Sequence, residues 1–119
     1  MGAEKGGNII RTIVHFGNTY TITNNMELSE RWLQTFEEEG FASVYEWQDQ
    51  AGTTFPPHAH QGKVALFVTD GSITFDLNGE KKEVVAGQRF DVPVGVEHSA
   101  TVGPNGWIVI VGEEIDGDS

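Results

Sequence analysis

The chain has 119 residues, a length that suits one domain with a modest core. Its 18 acidic residues against 7 basic give a net charge of −11, a surface that repels phosphate backbones and anionic lipids and so excludes nucleic acid and membrane as expected partners. Cysteine is absent, which excludes a disulfide framework, a zinc ribbon and a thiol nucleophile.

Residues 1–7 are Gly-rich and polar, without the apolar run of a signal peptide, and are expected to be flexible. No stretch approaches the ~20 apolar residues that a membrane span needs, so a soluble, cytoplasmic protein is expected. Ile9, Ile10, Ile13, Val14 and Phe16 lead into Gly17-Asn18 and the β-branched Thr19-Tyr20-Thr21-Ile22-Thr23. This predicts a hairpin over 8–24 with glycine first in a II′ turn. An unpaired apolar strand over 9–16 is an aggregation hazard, and pairing across a two-fold axis removes it, so a homodimer is expected. His15 lies in this hairpin and reads as a surface or interface histidine.

Residues 29–39 are expected to form the one helix, with Ser29 as N-cap, Gly40 as the C′ glycine, and Trp32, Leu33 and Phe36 on a single stripe that packs on a sheet. From Phe41 the period becomes two. Strands are expected over 41–49, 64–69, 72–78, 82–85, 89–92, 98–102 and 107–111. The intervening turns are Ala51-Gly52, Asp70-Gly71, Asn78-Gly79, Ala86-Gly87, Pro93-Val94-Gly95 and Gly103-Pro104-Asn105-Gly106. Many short strands with glycine turns predict an all-β antiparallel barrel or sandwich over 41–112, followed by a flexible acidic tail over 113–119.

The chemistry concentrates in histidine. His58 and His60, spaced i, i+2 in the extended segment Phe55-Pro56-Pro57-His58-Ala59-His60, point to one face of a strand and can lean onto one ion. His98, which follows the Pro93-Val94-Gly95 turn and begins a strand, is the candidate third ligand. By itself His-X-His also fits two exposed or hydrogen-bonded histidines.

The residues around these histidines resemble both signature motifs of the cupin superfamily. The first reads Gly52, five residues, His58-Ala59-His60, three residues, Val64, six residues, Gly71, where the family has glutamate in place of Val64. The second reads Gly87, five residues, Pro93-Val94-Gly95, two residues, His98, three residues, Val102, where the family ends on asparagine. The motifs cover 52–102, under half of the chain. The resemblance implies a jelly-roll-like antiparallel β-barrel as a single domain over 8–112. It also implies one divalent transition metal (Fe, Zn, Ni, Mn or Cu) held by His58, His60 and His98.

The departure at Val64 is informative. Without its carboxylate, the implied site leaves the ion its full charge and an open position, which favours an anionic substrate oxygen, water or dioxygen. Gln61 would have to turn inward to replace the glutamate, and strand alternation points Glu97 away from the face of His98. Val64, Trp47, Phe75 and Trp107 are expected to line a small-molecule pocket, with Arg89 as the basic candidate for a substrate carboxylate. Three readings follow: a metal-dependent dioxygenase or lyase acting on a small oxygenated acid or diketone, a non-enzymatic cupin that binds or senses a small ligand, or a structural or storage barrel with a vestigial site. The sequence assigns no catalytic acid or base.

Overall fold

The computed structural model describes residues 27–117. The expected flexible start and the hairpin over 8–24 lie outside the described residues. Helix α1 spans Glu27–Glu38, and six strands follow: β1 (Ser43–Asp49), β2 (Thr54–His58), β3 (Val64–Leu77), β4 (Glu80–Val85), β5 (Arg89–Val92) and β6 (His98–Glu113).

The helix begins two residues before the expected start, so Ser29 lies inside its first turn and does not cap it. Its hydroxyl instead donates to Glu46 Oε2 at 3.5 Å, tying α1 to β1. The C-terminus forms as expected. Gly40 (φ +95°) takes the left-handed conformation that glycine tolerates, its N–H donates to the Glu37 carbonyl, and the Phe41 N–H reaches back to Phe36. The Phe41 ring then packs edge-on against Phe36, with centroids 5.6 Å apart, closing the turn with an apolar contact.

All strand pairs are antiparallel and form one six-stranded sheet. The two long strands, β3 and β6, each bend and serve both halves of it. In one half β6 carries β1 on its far side and β3 carries β5. In the other half β6 carries β2 and β3 carries β4. The halves face each other across a core that includes Leu66, Val68, Ile73, Val84, Val102 and Val109. The architecture is the expected antiparallel jelly roll, with one helix among the described residues and the sheet left open.

Two expected turns are bends within continuous strands. Asp70-Gly71 lies in the middle of β3, and 103–106 lies in the middle of β6. The reason is close approach: Gly71 pairs with Trp107, and a β-carbon on Gly71 would collide with the Gly106 carbonyl. A β-carbon on Gly103 would likewise meet the Ser72 hydroxyl. Gly71 marks touching backbones at a bulge, where the ladder continues around a corner. Asn78-Gly79, by contrast, is the predicted I′ turn: both residues have positive φ (57° and 91°), and Leu77 pairs with Glu80.

The outer face of the β1–β6–β3–β5 half is covered by α1. Leu33 and Phe36 are buried against Ala65, Phe67 and Ile110, and the Trp32 indole stacks on Phe67 at 4.2 Å between centroids. Burial of the Leu33 and Phe36 side chains contributes about 1.5–3 kcal/mol each. With α1 closing this face, the inner face is left to build a cavity.

Candidate metal centre

Period-two alternation decides what enters that cavity. On β6 the inward positions of the second half are Trp107, Val109, Val111 and Glu113, and those of the first half are His98, Ala100 and Val102. On β3 they include Val64, Leu66, Ile73 and Phe75. Together they enclose about 540 Å³, with Tyr45 and Trp47 from β1 and Phe55 from β2 completing the wall.

His58 ends β2 directly opposite His98 at the start of β6. The register of this pair shifts between Phe55 and His58, where Pro56-Pro57 cannot supply N–H groups to the ladder. His60 lies just past the strand, and its carbonyl accepts the Gly95 N–H at 3.0 Å. That bond fastens the Pro93-Val94-Gly95 turn, which delivers His98, to the segment that carries the other two histidines. The prolines and the Gly95 turn (φ +75°) set these backbone paths locally.

The three imidazole centroids are 4.6, 4.9 and 5.0 Å apart, and ligand nitrogens of all three lie within 4.8 Å of one another. His58 Nδ1 is 2.7 Å from the Pro56 carbonyl, and His98 Nδ1 is 3.0 Å from the Val96 carbonyl. A carbonyl only accepts, so each Nδ1 carries the proton and each Nε2 keeps its lone pair. This outer contact orients a metal-ligating imidazole and fixes its tautomer. Burial pushes the His98 pKa down. Its bond to the Val96 carbonyl opposes this, and the neighbouring His58 and His60 lower it further. A neutral imidazole is the form that binds a metal. The donor set therefore fits a divalent transition ion: three imidazoles, two with Nδ1 on a backbone carbonyl, at the edge of a largely apolar cavity.

Four of the five pocket residues expected from sequence line this cavity: Val64, Trp47, Phe75 and Trp107. Val64 is buried, and the Phe75 ring centroid lies 6.0 Å from that of His98. Trp47 is 51% exposed. The indole N–H groups of Trp47 and Trp107 both donate to Asp49 Oδ2, each at 2.8 Å, so one carboxylate holds two tryptophans of the wall.

Arg89 is elsewhere. It is not among the cavity-lining residues, because at its position β5 faces outward toward α1. There it makes a two-pronged ion pair with Glu39 at 2.7 and 2.8 Å and a further bond to Asp91 at 2.8 Å. Its guanidinium also lies over the Phe36 ring at 5.1 Å. The bond from Arg89 lowers the Glu39 pKa, while those from Arg89 to Glu39 and Asp91 raise that of Arg89. Arg89 fastens the helix end to the sheet, away from the histidine cavity where it is expected from sequence. Gln61 and Glu97 are exposed, and neither belongs to the histidine group.

A hydrogen-bonded pair of cavity residues escaped sequence reasoning. Glu113, expected in the acidic tail, ends β6 and is only 1% exposed, and Tyr45 donates its hydroxyl to Glu113 Oε2 at 2.8 Å. The alternation Trp107, Val109, Val111 was the available signal, since it places position 113 on the same inward face.

Comparison with known proteins agrees with this fold. Residues 45–110 match the family model described as the cupin domain. An RmlC-like cupin from Shewanella frigidimarina is 28% identical, over 63% of this chain and 68% of its own, with a TM-score of 0.54. The polyketide cyclase RemF from Streptomyces resistomycificus is 25% identical, over 60% of this chain and 54% of its own, with a TM-score of 0.52. The DMSP lyase DddQ from Ruegeria pomeroyi shares the fold at 21% identity, over 64% of this chain and 39% of its own, with a TM-score of 0.54. No curated protein matches the chain.

Proposed function

The chain belongs to the cupin family, and from that premise we propose that it binds one divalent transition metal through His58, His60 and His98 and acts on a small oxygenated organic acid, enol or diketone, as a lyase or dioxygenase. The observation that carries the proposal is the convergence of three imidazoles, two with Nδ1 held by backbone carbonyls, at an apolar cavity of about 540 Å³. A bound divalent ion would supply Lewis-acid polarisation of ligand oxygens. The protein contributes the rest. Phe75, Val64, Trp107 and their neighbours exclude water and shape the ligand, and the low-dielectric wall strengthens polar interactions inside it. The relation to a polyketide cyclase at 25% identity is in keeping with an enolisable oxygenated ligand.

Elemental analysis of protein purified without a His tag, beside His98→Ala, tests the metal. Equal and negligible metal in both removes it. Oxygen uptake and product analysis with the Fe(II)-loaded protein against diketones and dicarboxylates test the chemistry. Thermal stabilisation by such compounds without turnover under any metal replaces the enzyme by a ligand-binding module. The apolar sequence over 9–16 supports a homodimer as the assembled form, and a monomeric mass in light scattering would remove it.

A further inference from the structure

Glu113 poses an energetic problem for the fold. Its carboxylate lines a largely apolar cavity at 1% exposure, and burying a charged carboxylate is costly unless it is paired. The phenol of Tyr45 is a neutral donor and offsets only part of that cost. Among the described residues that line the cavity, Glu113 is the one carboxylate, and none is lysine or arginine. Imidazoles bind a metal in their neutral form, so these three would leave a divalent ion with its charge uncompensated. The cavity thus holds a buried carboxyl group and three candidate ligand imidazoles in one enclosure, with no lysine or arginine among the described residues that line it.

The sheet register brings the two together. Glu113 pairs directly with Val64 across β3 and β6. Directly opposed residues of an antiparallel pair share a face, with β-carbons about 5 Å apart. Val64 is the position at which the first histidine motif carries no carboxylate. Tyr45, two residues along β1 from Ser43, the partner of Glu113 on that side, reaches it diagonally and holds the carboxylate in place. Glu113 does not join the group of nitrogens that lie within 4.8 Å of one another.

We propose that Glu113, positioned by Tyr45, is the carboxylate of this metal site, standing across the strand from Val64. It compensates the charge of the ion through space and accepts a hydrogen bond from the water or ligand group that fills the cavity beside it. This rests on the metal-binding reading of the histidines and adds a fourth residue to it.

The test is titration of the metal-free protein with Zn(II) against a competing chelator, with circular dichroism and thermal melting as checks on folding. Glu113→Gln is expected to weaken Zn(II) binding about 10–100-fold, the range typical of an outer-shell partner. It is expected to leave the thermal midpoint of the metal-free protein unchanged or higher, because glutamine keeps an acceptor for the Tyr45 hydroxyl and carries no ionisable group. Val64→Glu added to Glu113→Gln is expected to restore most of the affinity, by returning a carboxylate to the adjacent inward position. A well-folded Glu113→Gln that binds Zn(II) like the wild type overturns the proposal. So does a loss of both affinity and melting temperature that Val64→Glu does not restore. Should Glu113→Gln fail to fold, Tyr45→Phe carries the test: several-fold weaker binding supports the proposal, and unchanged binding overturns it. Wild-type protein that binds no Zn(II) removes the histidine site and this proposal together, whereas binding lost only in His98→Ala removes this proposal alone.

Discussion

His58 and His98 occupy directly opposed positions of the antiparallel β2–β6 pair, with their imidazole centroids 4.6 Å apart. Each ring bonds the carbonyl two residues before it in its own chain segment, Pro56 for His58 and Val96 for His98. The two histidines are thus presented by the same local device on two different strands. His58→Ala and His98→Ala are each expected to lower the metal content of untagged protein from about one equivalent to background. The loss of affinity should exceed the ~10–100-fold typical of outer-shell changes. Plasma mass spectrometry on matched preparations decides it, and full metal content in either variant contradicts the site.

Acid should act on His98 in a defined direction. Burial first, and then the adjacent His58 and His60, hold its pKa below the ordinary 6.5, against the opposing pull of the Val96 carbonyl. The unfolded chain therefore binds a proton at this residue before the folded chain does. Above pH 6.5 both states are neutral there and His98 adds no pH dependence. As pH falls through 6.5 the unfolded state gains protons first and stability declines, levelling off below the folded pKa. Thermal melts of metal-free protein across this range should show that decline, and His98→Asn should flatten it.

Arg89 is expected to matter for stability and not for the cavity. Arg89→Ala removes the paired bonds to Glu39, the bond to Asp91 and the contact over Phe36. Glu39 and Arg89 are partly solvent-screened, so the expected loss is about 1–2 kcal/mol. Arg89→Lys should recover less than half, since a lysine cannot make the planar two-pronged contact. Zn(II) affinity should stay at the wild-type value in both variants. A large drop in affinity with a small change in urea midpoint would return Arg89 to the site.

Gly71→Ala tests the bend that lets β3 serve both halves of the sheet. Gly71 has φ +75°, and the added β-carbon would strike the Gly106 carbonyl. A destabilisation of more than about 2 kcal/mol is expected, because strain and backbone collision add. Gly79→Ala is the control: its φ is also positive, but nothing lies within 4 Å of the added carbon, so a cost of about 1 kcal/mol is expected. Chemical denaturation of the two variants should separate them.

Much of the site was legible because its determinants are local. The His58-Ala59-His60 spacing, the Pro93-Val94-Gly95 turn before His98, and Val64, Phe75 and Trp107 at inward positions follow from alternation and turn chemistry that a few neighbouring residues impose. The helix, its Gly40 terminus and the Asn78-Gly79 hairpin are local in the same sense. Tertiary structure decided what depends on distant partners. Asp70-Gly71 and 103–106 read as turns, yet they are bends in long strands, because the strand lying against each of them continues the ladder. Arg89 read as a candidate clamp, but its face of β5 is set by the helix packed against it, where Glu39 waits. Glu113 read as tail, and only its pairing with Val64 and its bond from Tyr45, 68 residues away in the chain, turn an acidic terminus into a buried carboxylate that lines the same cavity as three histidines. Periodicity tells which way a side chain points, while register across the sheet decides what it meets there.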